Sequence, residues 1–173
     1  PPSPRQAPMS SSPEVCRHSE NDLSGCIDTP SLQLVWSEAP WDSVLFGAPV
    51  LQIGALTLRD AAAEHDIAAF VEARDRAGAM LVSCRLRHEQ LAESMLLEQI
   101  GFRFIEMLYQ PELGLATLTP SSHGLAVSRA GADDMAEILE AAGSAFNNER
   151  FHMDPRLSSE IGDIRYQNWV RSS

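Results

Sequence analysis

The sequence predicts a mixed α/β protein, because segments that alternate like strands are interleaved with segments of helical periodicity. Residues 32–36, Leu-Gln-Leu-Val-Trp, alternate apolar and polar side chains as a half-buried strand does. Further along, Met135, Ile138, Leu139 and Ala142 recur at the spacing of one helix face. The chain has 173 residues and is 44% hydrophobic, which is enough for a sizeable core.

An amino-terminal α/β domain is expected over residues 31–118, after a disordered leader at 1–30 that is rich in proline, serine and charge. Gly78 and Gly101 are expected to end the two helices of this domain. The predicted elements, in chain order, are a strand at 32–36, a strand at 49–56, a helix at 60–77, a strand at 80–84, a helix at 88–100 and a strand at 102–108.

A turn-rich stretch separates this domain from residues 124–173. There the pattern predicts a strand at 125–129 and a helix with one apolar stripe over 135–146. A last helix is expected to begin at Asp154-Pro155, with the aspartate as its N-cap. Its apolar residues spread around most of the circumference, so it needs neighbours on several sides. Either absent structure or an oligomer interface would provide them.

Composition excludes several classes of function. The net charge of −11 argues against a nucleic-acid partner, since phosphate contacts need clustered cations. No apolar run approaches the roughly 18 residues of a membrane-spanning helix. The chain contains no lysine, which excludes lysine nucleophiles and Schiff bases. Without a recognisable signal peptide, a cytoplasmic location is expected.

The cysteine and histidine patterns do not indicate a metal centre. Cys16, Cys26 and Cys84 match neither a disulfide framework nor a zinc site, and the five histidines are scattered singly. Cys84 and His88 are four residues apart, as a nucleophile and its base could be. A packing role for this cysteine is favoured, because no orienting carboxylate is specified.

Two blocks of the sequence, in order, resemble one known family. The first combines residues 41–47, Trp-Asp-Ser-Val-Leu-Phe-Gly, with residues 96–106, Leu-Leu-Glu-Gln-Ile-Gly-Phe-Arg-Phe-Ile-Glu. The second block, residues 127–170, contains Phe146, Arg150-Phe151, Asp154-Pro155, Tyr166 and Trp169. Together they are similar to the dTDP-fucosamine acetyltransferases of the GNAT superfamily of acyl-CoA-dependent N-acetyltransferases.

The resemblance implies a small α/β amino-terminal unit followed by the first strand and two helices of a GNAT-like domain, which is incomplete at 124–173. The resemblance implies a reaction in which the amine of a nucleotide-activated amino sugar attacks the thioester of acetyl-CoA directly. In that superfamily a glycine-containing turn binds the pyrophosphate of acetyl-CoA, and a later tyrosine serves as general acid. Neither is found in the sequence. We therefore expect the acetyl-CoA-binding half to be absent and the fragment to be inactive, and assign no catalytic or cofactor-binding residue.

The resemblance also places a candidate substrate site between the first two helices of the GNAT-like domain. Arg150 is expected to pair with a phosphate of the sugar nucleotide, and Phe146 and Phe151 to stack on its base or sugar. The alternative is an exposed loop with two hydrophobic anchors. A second class of function also remains open, a non-catalytic binding or dimerisation module that presents the last helix to a partner or forms a homodimer.

Overall fold

The computed structural model describes residues 21–114, 116, 124 and 126–172. The chain divides into two compact units, Pro1–Phe102 (unit 1) and Arg103–Ser173 (unit 2). The boundary therefore lies before the one expected at residue 118. The described residues form a mixed α/β structure, which confirms the predicted fold class. None of the described helices is both long enough and apolar enough to span a membrane.

Unit 1 is built on a four-stranded sheet with the order β1-β2-β3-β4. β1 and β2 pair antiparallel, as do β2 and β3, whereas β3 and β4 pair parallel. The elements of this unit are β1 (Gly25–Asp28), β2 (Leu32–Glu38), α1 (Pro40–Phe46), β3 (Val50–Leu58), α2 (Ala63–Asp66), α3 (Ala68–Arg76), β4 (Leu81–Cys84) and α4 (Leu91–Gln99).

The core of unit 1 lies between the sheet and its helices. Leu32, Leu34 and Trp36 of β2 are buried on one face, as the alternation predicted. Phe70 of α3 is fully buried, and its ring meets that of Trp36 edge to face at a centroid distance of 5.3 Å. The geometry is the one that aromatic quadrupoles favour. Leu96 of α4 is buried in the same hydrophobic cluster.

The predicted elements of unit 1 are largely confirmed, with shifts at their ends. The helix expected at 60–77 forms as two pieces, α2 and α3, that meet at Ile67. Gly78 and Gly101 follow α3 and α4 with positive φ angles of 63° and 100°, a backbone region that glycine reaches without strain.

Strand β1 corrects the prediction of a disordered leader over 1–30, of which residues 1–20 lie outside the described part. The segment Gly25–Asp28 contains one large apolar residue, Ile27, but it pairs along its whole length with β2, and this pairing decides its conformation. Cys26 within it is disulfide-bonded, a link that the cysteine spacing did not predict. Cys84 is a free thiol, and Cys16 lies outside the described residues.

Two predicted strands are wrong. Residues 102–108 are irregular, although their sequence favours a strand. Residues 126–129 are also irregular, and Leu125 lies outside the described part. Strand propensity expresses how well a residue fits a half-buried sheet, and neither segment pairs with a described strand.

Asp66 at the end of α2 ties that helix to the turn between β1 and β2. Its carboxylate accepts hydrogen bonds from the hydroxyls of Thr29, at 2.5 Å, and of Ser31. The hydrogen bond from Ser31, and then the one from Thr29, lower the pKa of Asp66. The turn is therefore held by hydrogen bonds that favour the ionised form of this carboxylate.

Unit 2 contains three helices among its described residues. They are α5 (Met135–Ser144), which continues a 3-10 turn at Ala132–Asp134, α6 (Arg150–Met153) and α7 (Ser159–Ser172). α7 packs against both α5 and α6. The helix predicted from the stripe at 135–146 is confirmed, as is a last helix, which begins later than expected.

Candidate functional site

The residues predicted to bind a substrate lie at the helices of unit 2. Phe146 follows α5, and Arg150 and Phe151 are the first two residues of α6. The loop expected between two long helices therefore contains a short helix of its own. The structure places the three side chains in different environments.

Phe146 begins a row of aromatic rings that continues along α7. Its ring stacks on that of Tyr166, with centroids 4.3 Å apart and planes inclined by 19°. The ring of Tyr166 lies 6.2 Å from that of Trp169. Phe146 is 47% exposed and Trp169 is 60% exposed. The two ends of this row, which we call the aromatic row, thus present ring surface to solvent.

The buried ring of Phe151 lies against the guanidinium groups of two arginines. It is only 1% exposed, so its ring is not accessible to a ligand. The guanidinium carbon of Arg150 lies 4.7 Å from the centre of the Phe151 ring, and that of Arg165 lies 4.8 Å from it. A cation over an aromatic face is attracted by its quadrupole. Phe151 therefore holds two guanidinium groups near each other, and both arginines stay partly exposed.

The hydroxyl of Tyr166 is a hydrogen-bond donor over the ordinary pH range. Burial raises the pKa of Tyr166, and the carboxylate of Glu149 raises it further, against the opposing effect of Arg165. A phenol that keeps its proton can donate to a carbonyl or phosphate oxygen.

His152 connects α6 to α7 through two carboxylates. Its Nε2 atom lies 2.9 Å from Oδ1 of Asp163, and its Nδ1 atom lies 2.8 Å from Oε1 of Glu149. The second contact is close, but it lacks hydrogen-bond geometry, so it is a contact between polar groups and not a directed bond. The side chain is 5% exposed. Because it is buried and its Nε2 atom is bonded to Asp163 of α7, His152 is placed to join α6 to α7.

Gly162 of α7 makes room for this histidine. A Cβ atom at position 162 would lie 2.2 Å from Cε1 of the His152 ring, closer than two such atoms can approach. The group formed by Glu149, His152, Gly162 and Asp163 was not predicted from the sequence. The spacing of residues 149 and 152 is helical, but the contact with α7 depends on a turn that the sequence does not specify.

Asp154 and Pro155 do not begin the last helix as predicted. Asp154 instead follows α6, is 4% exposed, and accepts two hydrogen bonds from the Arg156 guanidinium, at 2.8 and 2.6 Å. The hydrogen bond from Arg156 lowers the pKa of Asp154. The aspartate therefore stabilises the turn between α6 and α7.

Acid is expected to weaken unit 2 through Asp154. Because its folded pKa lies below the ordinary value of about 3.9, the ion pair stabilises the fold above that value. This contribution is lost as the pH falls through the folded pKa. We expect Asp154→Asn to cost about 1 kcal/mol at neutral pH, since Arg156 is largely exposed. Thermal unfolding between pH 7 and pH 2 should show this cost shrinking, whereas exposed Asp133→Asn should change little. A cost that is constant with pH would contradict the assignment.

In unit 1, Cys84 and His88 lie in different environments. Burial raises the pKa of the Cys84 thiol to about 11, so the thiolate is scarce near neutral pH. His88 is 93% exposed, and its Nδ1 atom contacts Glu89 at 3.0 Å. The packing role favoured from the sequence fits this environment.

In unit 1, the turns that lead from β3 to α2 and from β4 to α4 are closed by their own side chains. Oδ1 of Asp60 accepts a hydrogen bond from the Ala62 amide at 2.7 Å, at the start of α2. Oε1 of Gln90 accepts one from the Arg87 amide at 2.9 Å, ahead of α4. A phosphate at either turn would meet a carboxylate or an amide that is already bonded. In the part of the chain that the structure describes, no group of three His, Cys, Asp or Glu side chains is placed to hold a metal ion.

Comparison with known proteins gives no family assignment. No protein-family model matches the chain, and neither a curated protein nor a solved structure is significantly similar to it. The function is therefore inferred from the site itself.

Proposed function

We propose that this chain is part of an acetyl-CoA-dependent N-acetyltransferase whose acceptor is an amino group of a nucleotide-activated sugar. The observation that carries the proposal is the aromatic row of Phe146, Tyr166 and Trp169 near the guanidinium groups of Arg150 and Arg165. A base or sugar ring needs a flat apolar surface, and phosphates need cations of fixed geometry. Both are supplied within one unit of the chain.

The acceptor would be recognised in two parts. The exposed rings of Phe146 and Trp169 are the surfaces on which its base stacks. Arg150 and Arg165 would pair with its diphosphate, since a planar guanidinium fork matches two phosphate oxygens at once. The Tyr166 hydroxyl is a further donor. Phe151 acts indirectly by holding both guanidinium groups, which changes its role from the stacking residue predicted from the sequence.

We assign acetyl-CoA no site at the turns before α2 and α4. Its pyrophosphate requires free main-chain amides at a strand-to-helix turn, and at these two turns Asp60 and Gln90 each accept a hydrogen bond from a main-chain amide. Acetyl-CoA would supply the acyl group to the amine of the acceptor. We assign no described residue to its binding or to the transfer step.

The acceptor site is tested by titrating a dTDP-linked amino sugar into the protein, with calorimetry and tryptophan fluorescence as readouts. We expect Trp169→Leu to weaken binding about tenfold, because stacking of a base on an aromatic ring contributes about 1–3 kcal/mol. Trp41→Leu is the matched control, since Trp41 is 75% exposed in unit 1 and should not affect the affinity.

Two further ligands separate the contribution of the base to binding from that of the diphosphate. The free amino sugar lacks the base and the diphosphate, so it should bind far more weakly than the nucleotide-linked form. Inorganic pyrophosphate should bind weakly, and Arg150→Gln should abolish that binding. The proposal fails if the dTDP-linked sugar does not bind, or if Trp169→Leu and Trp41→Leu have equal effects. Transfer of an acetyl group to the bound amine tests the reaction itself.

A second candidate function is a non-catalytic binding or dimerisation module. A separate observation favours it, the run of exposed apolar side chains that follows α4. Phe104, Met107, Leu108 and Tyr109 are all more than half exposed. Soluble proteins seldom leave a continuous run of this kind in water unless it binds something.

A further inference from the structure

Residues 102–109, Phe-Arg-Phe-Ile-Glu-Met-Leu-Tyr, have the composition of a buried strand, and we call them the donor segment. They contain neither proline nor glycine and one acidic side chain. If these residues formed a strand, alternate side chains would point to opposite faces, and both faces would be mostly apolar. That pattern is typical of a strand covered on both sides. Yet the donor segment forms no helix or strand, and Tyr109 is 79% exposed and Phe104 is 70% exposed.

Strand β4 provides an edge of the kind that such a segment could pair with. Among the described residues its one neighbour in the sheet is β3. Its four residues, Leu-Val-Ser-Cys, carry no charge and no proline. Natural sheets usually protect an edge strand with lysine, proline or a bulge, because an open row of N–H and C=O groups pairs readily with another chain.

We propose that two copies of this chain associate by reciprocal strand pairing, in which the donor segment of each copy adds to β4 of the other. Both halves of the interface are present in one chain. Two copies therefore satisfy each other in a closed twofold dimer, in which β4 of each copy is paired on both sides. This proposal does not depend on the acetyltransferase function.

The charges next to the two strands support pairing between them. Arg85 follows β4 directly, is exposed, and has no ion pair among the described residues. Glu106 is the single acidic residue of the donor segment. With antiparallel strands, a register with Glu106 opposite Arg85 lays Met107, Leu108 and Tyr109 of the donor segment along β4. Opposite charges at facing positions of a sheet stabilise the pairing.

A charge exchange tests this arrangement with the full chain. In sedimentation velocity, we expect the wild-type mass to rise with concentration to twice 18.9 kDa. Salt near 0.15 M should be present, because it screens the net charge of −11 beyond about 8 Å. Arg85→Glu alone and Glu106→Arg alone each place like charges at both interfaces, and each should weaken the dimer about tenfold.

Mixing the two single variants is the decisive step. Each interface of the mixed dimer then joins opposite charges, so the mixture should recover the wild-type affinity. If the donor segment instead pairs with β4 of its own copy, mixing the two variants does not restore the dimer affinity. That result would overturn the proposal.

Met107→Pro should abolish the dimer, because proline removes a backbone N–H that donates to the neighbouring strand. Leu113→Pro, at another exposed position outside the donor segment, should not. A monomer at every concentration, or growth beyond a dimer, would also overturn it.

Discussion

Trp36→Ala is expected to unfold unit 1 or bring it close to unfolding. Trp36 is 1% exposed, its ring packs edge to face on Phe70, and its indole N–H donates to the carbonyl of Asp22 at 3.1 Å. Truncating a buried tryptophan costs about 3–5 kcal/mol, because transfer energy is lost and a cavity is left behind. A domain of this size has a total stability of about 4–12 kcal/mol. The change should therefore remove much of the stability of the unit.

Chemical denaturation followed by circular dichroism measures this loss, with Trp41→Ala as the control. Trp41 is 75% exposed in the same unit, so the same truncation there should change the free energy of unfolding by less than about 0.5 kcal/mol. Equal costs for the two variants would mean that the sheet and helices do not enclose Trp36 as described. A lower midpoint at unchanged slope is expected for Trp36→Ala if the unfolded state is unaffected.

The features that could be predicted from the sequence are those set within a few neighbouring residues. The alternation in β2, the apolar stripe of α5 and the glycine after α3 each follow from local side-chain spacing or backbone freedom. Gly78 could be placed because only a residue that tolerates positive φ ends a helix in this way.

The features that could not be predicted depend on contacts between distant parts of the chain. β1 is a strand because β2 lies beside it, whereas residues 102–108 have strand propensity but pair with no described strand. Asp154-Pro155 is a pair of residues typical of a helix start, but the Asp154 carboxylate is hydrogen-bonded to Arg156 in a turn ahead of the helix.

The residues of the candidate site also divide into those that could be predicted from the sequence and those whose positions depend on distant contacts. Phe146 and Arg150 could be proposed from the resemblance, and they lie at a surface where ligand contact is feasible. The burial of Phe151 depends on α7, as does the pairing of His152 with Asp163. Eleven positions separate these last two residues, too many for helical spacing to indicate a contact.

Gly162→Ala is expected to destabilise unit 2, although alanine favours a helix. In a helix interior this substitution normally stabilises by about 1 kcal/mol. Here the new Cβ atom would lie 2.2 to 2.6 Å from three atoms of the His152 ring. The ring is planar and buried, and its Nε2 atom is bonded to Asp163, so it cannot turn aside without losing that hydrogen bond. Overpacking of this kind costs about 1–3 kcal/mol.

Gly143→Ala in α5 is the matched control for this prediction. A Cβ atom there would lie 2.5 Å from Nε2 of Gln167, but that atom ends a flexible side chain that can move away. Thermal unfolding should therefore show Gly143→Ala near neutral or slightly stabilising, and Gly162→Ala clearly destabilising. In a His152→Ala background the ring is gone, and Gly162→Ala should become stabilising by about 1 kcal/mol. If its effect is the same in both backgrounds, the histidine does not occupy the space that the glycine leaves open.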